Sequence, residues 1–224
     1  MKKGRKPKEV LILGAGSFGE EILDCMDEIN CIQPTYKCIG FLDDDEKKRE
    51  FKLRGIPVLG SLSDSSKYPD SQLISALASI KTFWKREILL SGIEKKLNRF
   101  ETILHPAAVV SSTASIGSGT IISSHVTIGP NVKIGNHVVI LPNTVVNHDV
   151  RIEDYSIIAS GVNISGKTTV ESCCYLGSGC VIKENLTIEE CCLIGMGSVI
   201  LNNVIKNSVM VGSPGRKIRA VVES

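Results

Sequence analysis

An aliphatic residue occupies every sixth position from Leu104 to Ile200 without a break: Leu104, Val110, Ile116, Ile122 and onward to Ile188, Ile194 and Ile200. Two positions ahead of each stands a small or β-branched residue, as at Ala114, Thr120, Val126, Thr144, Ser156, Cys174 and Ser198, with Leu186 the bulky exception. A period of six fits neither the 3.6-residue turn of a helix nor the two-residue alternation of a free strand. It fits a parallel β-helix whose coil has three short flat sides, the hexapeptide-repeat solenoid. Residues eighteen apart then lie on successive coils, about 4.8 Å from one another. Spacing along the chain becomes stacking in space.

The chain before this series follows another rule. Val10–Leu13 reads as a buried strand, followed by a glycine loop, Gly14 to Gly19, and an amphipathic helix through Ile22, Leu23, Met26 and Ile29. Lys37–Leu42 reads as a second strand ending in Asp43, Asp44 and Asp45, Leu73–Ala78 as a third main strand, and Thr82–Leu97 as a helix. Alternating strands and helices predict a small Rossmann-like parallel sheet. The expected organisation is a basic tail over 1–8, the Rossmann-like domain over 9–103, a left-handed β-helix over 104–206 and a cap over 207–224.

Composition excludes several classes of function. With 224 residues and a net charge of +2, the chain offers no strong field for nucleic acid or an anionic membrane. No apolar run approaches the ~20 residues of a membrane span, and no signal-peptide core is visible. Of eight cysteines, Cys173–Cys174 and Cys191–Cys192 are adjacent pairs, without the spacing of zinc ligands. Cys174, Cys180 and Cys192 fall in the small inward slot of the repeat, where a thiol acts as a small hydrophobe. Free thiols predict a cytoplasmic protein.

Gly14-x-Gly16-x-x-Gly19 lies between a strand and a helix, where such a loop holds a phosphate on exposed amides. Asp43, at the next strand end, is placed to accept from a ribose or a base. The unit is about half of a full dinucleotide fold, so a mononucleotide handle is expected; nicotinamide-dependent reduction remains an alternative. Four histidines are present: His105, His125, His137 and His148. Their spacing speaks against a shared zinc, and no metal is expected. His148 stands two residues past Val146, and one coil further, eighteen residues on, is Gly166. A base beside an exposed amide is the pair that acyl transfer requires. Asp149 can orient the imidazole only if the backbone turns between them, since strand neighbours face opposite ways.

Together, the glycine loop, Phe41-Leu-Asp-Asp44, Leu104-His-Pro-x-Ala108, Val145-Val-x-His-Asp149 within the repeats and Val211-Gly-x-Pro214 resemble the bacterial sugar acyltransferases. These include sialic acid O-acetyltransferases and N-acetyltransferases of nucleotide-linked amino sugars. The resemblance covers nearly the whole chain beyond the tail. It implies a homotrimer with acetyl-CoA in grooves between neighbouring solenoids. It also implies His148 as general base, Asp149 as its acidic partner and Gly166 as the donor facing the thioester oxygen. Ser178 and Met196 match positions lining the coenzyme. Gly14, Gly16, Ser17 and Phe18 match the loop holding the sugar nucleotide, with Asp43 and Asp44 at its base.

Three positions depart from the pattern. Ile157 replaces a histidine that contacts the acetyl donor, and Ile157 is therefore also expected beside the coenzyme. Leu141 replaces an asparagine of the amino-sugar enzymes, and Ala78 a glycine at the third strand end. The expected activity is acetyl transfer to the amine of a nucleotide-linked amino sugar. O-acetylation of sialic acid or a related sugar is the alternative, and a non-catalytic trimeric nucleotide-binding scaffold is the alternative of another class.

Overall fold

The computed structural model describes residues 6–93 and 99–222. The start of the basic tail, the last part of the helix expected to reach Leu97 and the final two residues lie outside them. Five strands form the N-terminal sheet: β1 (Lys8–Leu13), β2 (Tyr36–Leu42), β3 (Lys52–Leu53), β4 (Ile56–Gly60) and β5 (Gln72–Ser75). Their order is β3-β4-β2-β1-β5, parallel apart from the β3–β4 hairpin. Val10, Leu11, Ile12 and Leu13 are buried because β1 is central and covered on both faces. Helix α1 (Ser17–Ile32) lays Ile22, Leu23 and Met26 on one face, and Leu90 of α2 (Arg86–Ile93) packs with Leu11 and Leu13 on the other.

Two expectations change here. The hairpin of β3 and β4 was not foreseen, and the strand expected over Leu73–Ala78 stops at Ser75. Ala76 N–H still reaches Leu13 O at 2.8 Å, after which the chain passes beneath Gly14.

Seventeen two-residue strands follow among the described residues, from β6 (Ile103–Leu104) to β22 (Val199–Ile200). Each pairs in parallel with the strand one coil away, as Val145 with Asn163 and Val146 with Ile164. They stack into three walls of a left-handed parallel β-helix. The first wall contains Val139–Ile140 and Ile157–Ile158, the second Val145–Val146 and Asn163–Ile164, the third Arg151–Ile152 and Thr169–Val170.

The six-residue period has a direct cause. The second residue of each strand points inward, and from Ile122 to Ile200 all are buried. Leu104 is exposed because no coil lies beneath it. The small residue two positions earlier fills the corner. Thr120, Thr144, Ser156 and Thr168 donate their hydroxyls to the carbonyls of Gly135, Ala159, Glu171 and Lys183 at 2.8–3.0 Å. Polar atoms that the corners bury are thereby satisfied. One residue per side takes the left-handed backbone that turns the corner, including Asn131, Asn143, Asp149 and Cys173 with φ of 56–62°.

Past the repeats, β23 (Ser208–Val211) and β24 (Arg216–Ala220) extend the first wall as an antiparallel pair. The N-terminal domain packs on that same wall: Phe18, Phe83 and Trp84 cover the outward residues Val139, Ile157 and Tyr175. Among the described residues no helix is long and apolar enough to cross a membrane.

Candidate active site

The corner between the second and third walls carries His148. Asp149, with φ 59°, takes the left-handed turn, so its side chain swings to the same side as its neighbour. Its Oδ2 lies 2.9 Å from His148 Nδ1. Its Oδ1 accepts from Asn131 Nδ2 at 3.1 Å. Those hydrogen bonds, the one from His148 foremost, hold the Asp149 carboxyl below its ordinary value and keep it ionised at neutral pH. An ionised carboxylate accepts a hydrogen bond from Nδ1–H, and that tautomer carries its lone pair on Nε2. The His148 side chain is 56% exposed, so that lone pair meets solvent or substrate.

Gly166 stands one coil further, and the imidazole rests against its bare face. A Cβ at Gly166 would fall 2.6 Å from His148 Nε2, closer than any side chain tolerates. Among the described residues the Gly166 N–H has no hydrogen-bond acceptor. Asn147 pins the strand end by donating to Ile164 O at 2.9 Å. The result is an oriented imidazole and an unspent amide, held by rigid backbone on adjacent coils.

The glycine loop is built on the far domain. Gly14 (φ 104°) makes the turn and donates to Leu42 O at 2.7 Å. Gly19 is required because a Cβ there would sit 2.6 Å from Gly14 O. Gly16 and Ser17 are exposed at the N-terminus of α1, and nothing lies within 4 Å of the face a Gly16 side chain would occupy. That opening and the first-turn amides suit an anion.

The role expected of Asp43 needs correction. Its carboxylate faces the loop, accepting from Ala15 N–H at 2.8 Å, Asp45 N–H at 2.9 Å and Lys48 Nζ at 2.8 Å. Burial opposes its ionisation, but the bonds from Lys48, Asp45 and Ala15 outweigh it and hold the carboxyl below its ordinary value. Asp43 thus ties β2 to the loop. Asp44 is the exposed acid of the pair, with one oxygen capping Leu62 N–H at 2.9 Å.

His148, Asp149 and Gly166 come together; the other positions do not join them within one chain. Ser178 and Met196 are exposed on a different corner, between the first and second walls. Ile157 is 1% exposed beneath Phe83, and this corrects the coenzyme contact expected of it: the N-terminal domain already covers that surface. Leu141, Ala78 and Phe18 belong to the same apolar cluster. Of the remaining histidines, His105 is a joint, with Nδ1 accepting from Ala107 N–H at 3.0 Å and Nε2 3.1 Å from Glu28. His137 is buried between Phe100 and Tyr155, and His125 is exposed at a corner. Asn131 was missed, although it stands one coil before Asp149 and the eighteen-residue spacing pointed to it. Among the described residues no group of ligands is arranged to hold a metal.

A Rossmann-like domain docks on a left-handed hexapeptide β-helix, and a His–Asp pair faces a glycine at one of the solenoid corners. Residues 100–213, more than half the chain, match the family model described as the GMPPB C-terminal domain, and the chain belongs to that family. Residues 9–85 match the PglD N-terminal domain. Among solved structures, WeeI from Acinetobacter baumannii AYE is 28% identical, with a TM-score of 0.81 over 94% of this chain and 100% of that one. The acetyltransferase domain of PglB from Neisseria gonorrhoeae FA1090 is 21% identical, with a TM-score of 0.81 over 94% and 100%. A histidine mutant of GDP-perosamine N-acetyltransferase from Caulobacter crescentus, in complex with CoA and GDP-perosamine, is also 21% identical, with a TM-score of 0.81 over 98% of both chains. At that identity the last two likenesses speak to fold. A comparison with the curated proteins gives no match.

Proposed function

We propose that the chain is a cytoplasmic acetyl-CoA-dependent N-acetyltransferase that acts on the amine of a nucleotide-linked amino sugar. The observation that carries this is the His148–Asp149 pair set against the bare amide of Gly166. Acetyl-CoA supplies the activated acyl group. His148 Nε2 accepts the proton that the acceptor amine loses as its nitrogen attacks the acyl carbon. Asp149 orients the ring and balances the imidazolium charge. The Gly166 N–H donates to the acyl oxygen as negative charge builds there; when the carbonyl re-forms the C–S bond breaks, and the CoA thiolate leaves with the proton held on His148. Gly14, Gly16, Ser17 and Phe18 hold the acceptor's phosphates, and Asp44 faces its base. Structures of similar fold that carry CoA with a nucleotide-linked amino sugar support this assignment.

The geometry also favours a homotrimer. The glycine loop belongs to a domain on the first wall, whereas His148 occupies the opposite corner, between the second and third walls. An acceptor held at the loop therefore meets the His148 of a second copy. In such a ring the Ser178–Met196 corner of one copy lies beside the Gly166 corner of the next, and the coenzyme runs between them.

The test is a screen of amino-sugar nucleotides and of sugars bearing only hydroxyls, with acetyl-CoA, read by thiol release. Turnover is expected with an amino-sugar nucleotide, and His148→Ala should lower kcat about 10²–10⁴-fold without changing the sedimentation coefficient. Turnover confined to hydroxyl sugars would replace N-transfer by O-transfer. An alanine variant with ordinary kcat/KM would remove His148 from the chemistry.

A further inference from the structure

Two cysteines that acyl transfer leaves idle stand one coil apart on the corner between the third and first walls. Cys173 and Cys191 both take the left-handed backbone, with φ of 56° and 55°. Cys173 N–H donates to Asp154 O at 3.0 Å and Cys191 N–H to Ser172 O at 3.1 Å, which keeps the two coils in register. Coils stack at about 4.8 Å, inside the 4.4–6.8 Å between Cα atoms that a disulfide bridges.

Their neighbours Cys174 and Cys192 repeat the spacing but face the dry core. Each donates its S–H to a carbonyl, Glu189 O or Ile205 O, at 3.1 Å. Cys191 differs in access: it is half-buried and lines an open cavity of about 230 Å³ with Trp84, Glu190, Lys206, Asn207 and Val222. Cys173 lies behind it, buried.

We propose that Cys191 and Cys173 form an oxidisable thiol pair, in which a peroxide admitted through the Trp84 cavity oxidises Cys191 and Cys173 then closes a disulfide between the coils. In the first step the Cys191 sulfur attacks the peroxide O–O bond, gaining a hydroxyl as a sulfenic acid while water leaves. In the second, the Cys173 sulfur attacks that sulfur, and the hydroxyl departs with the Cys173 proton as a second water. Two thiols give up two electrons and two protons, and hydrogen peroxide takes them as two waters. The bond Cys191 accepts from Cys173 holds its thiol down, to about 7, against burial and the charges of Glu190 and Glu87. The same bond, with burial, raises Cys173. The accessible member is thus the nucleophile and the buried one the resolving thiol.

Reduced protein treated with a few equivalents of hydrogen peroxide, blocked with iodoacetamide and digested with trypsin provides the test. Peptides 168–183 and 184–206 should join with the loss of two hydrogens and separate on adding dithiothreitol. The link should vanish in Cys191→Ser and Cys173→Ser and persist in Cys174→Ser and Cys192→Ser. A link that survives Cys191→Ser, or none in the unaltered protein, overturns the proposal. A second measurement needs no variant: at pH 7, trace iodoacetamide should label Cys191 faster than the buried Cys173, Cys174 and Cys192. Equal or slower labelling of Cys191 also overturns it.

Discussion

At the residue scale the site depends on one conformation that alternation along a strand conceals. Asp149 meets His148 because its φ is positive, a property shared by the residues six before and six after it, at the two neighbouring corners. The corner positions are mostly glycine, asparagine, aspartate and histidine, the residues that favour this backbone, so the turn was legible in residue type, although Tyr155, Lys167, Cys173 and Cys191 blur the pattern. The partnership of His148 with Gly166 was readable, since it follows from the eighteen-residue coil alone. Gly166→Ala tests it: the new methyl displaces the ring, and kcat should fall at least tenfold, in line with the usual share of a general base. Ordinary kcat in a folded Gly166→Ala would show that the ring needs no such seat. His137 offers a test of stability. Burial, reinforced by the nearby Arg86, pushes its imidazole down to about 4. Unfolded, a histidine titrates near 6.5, so between those values only the unfolded chain binds the proton. Stability is complete above about 6.5 and drains away as pH falls toward 4, by at most roughly 3 kcal/mol. Denaturant melts should show that slope, and His137→Phe, which keeps a ring between Phe100 and Tyr155, should flatten it. Equal slopes in both proteins would assign the acid sensitivity elsewhere.

At the scale of elements, repetition decides what a sequence reveals. Each solenoid strand is only two residues long, far too short to detect alone, but every sixth side chain meets the same surroundings. The period therefore specifies walls, corners and inward slots together. The β3–β4 hairpin lacks that support. Its strands are short, and its turn at Arg54 and Gly55, with φ of 52° and 81°, carries an arginine at a left-handed position. Hairpin turns of this kind usually announce themselves with Asn-Gly or Asp-Gly. Arg54 is held there by Asp24 and Asp27 of α1, at 2.5 and 2.7 Å, a long-range contact absent from local pattern. Where the period holds, packing costs should be uniform. Leu176→Ala removes a fully buried rung between Ile158 and Ile194 and should cost about 2–5 kcal/mol in urea unfolding. A loss below 1 kcal/mol would mean that neighbouring coils collapse into the gap.

At the scale of the molecule, the two domains are locked in an orientation that keeps the two halves of the proposed site apart within one chain. Arg86 is fully buried at their junction, donating from Nε to Leu77 O at 2.9 Å and from Nη1 to Tyr155 O at 2.6 Å. Burial pushes its guanidinium down to about 10, which still leaves it charged at neutral pH. It bridges the chain beneath the glycine loop to the solenoid corner, so the loop has no hinge by which to swing around to His148. In the proposed homotrimer turnover is shared between copies, and that can be counted. His148→Ala lacks the base but keeps the loop; Gly16→Glu keeps the base but sets a carboxylate in the open space where a phosphate would bind. Each variant alone should be inactive. In a closed threefold ring every mixed trimer holds one site with both halves intact, so a random equal mixture should recover about a quarter of the native rate. Activity that stays at zero after co-expression, with mixed trimers verified by tag pull-down, would return both halves of the site to a single chain.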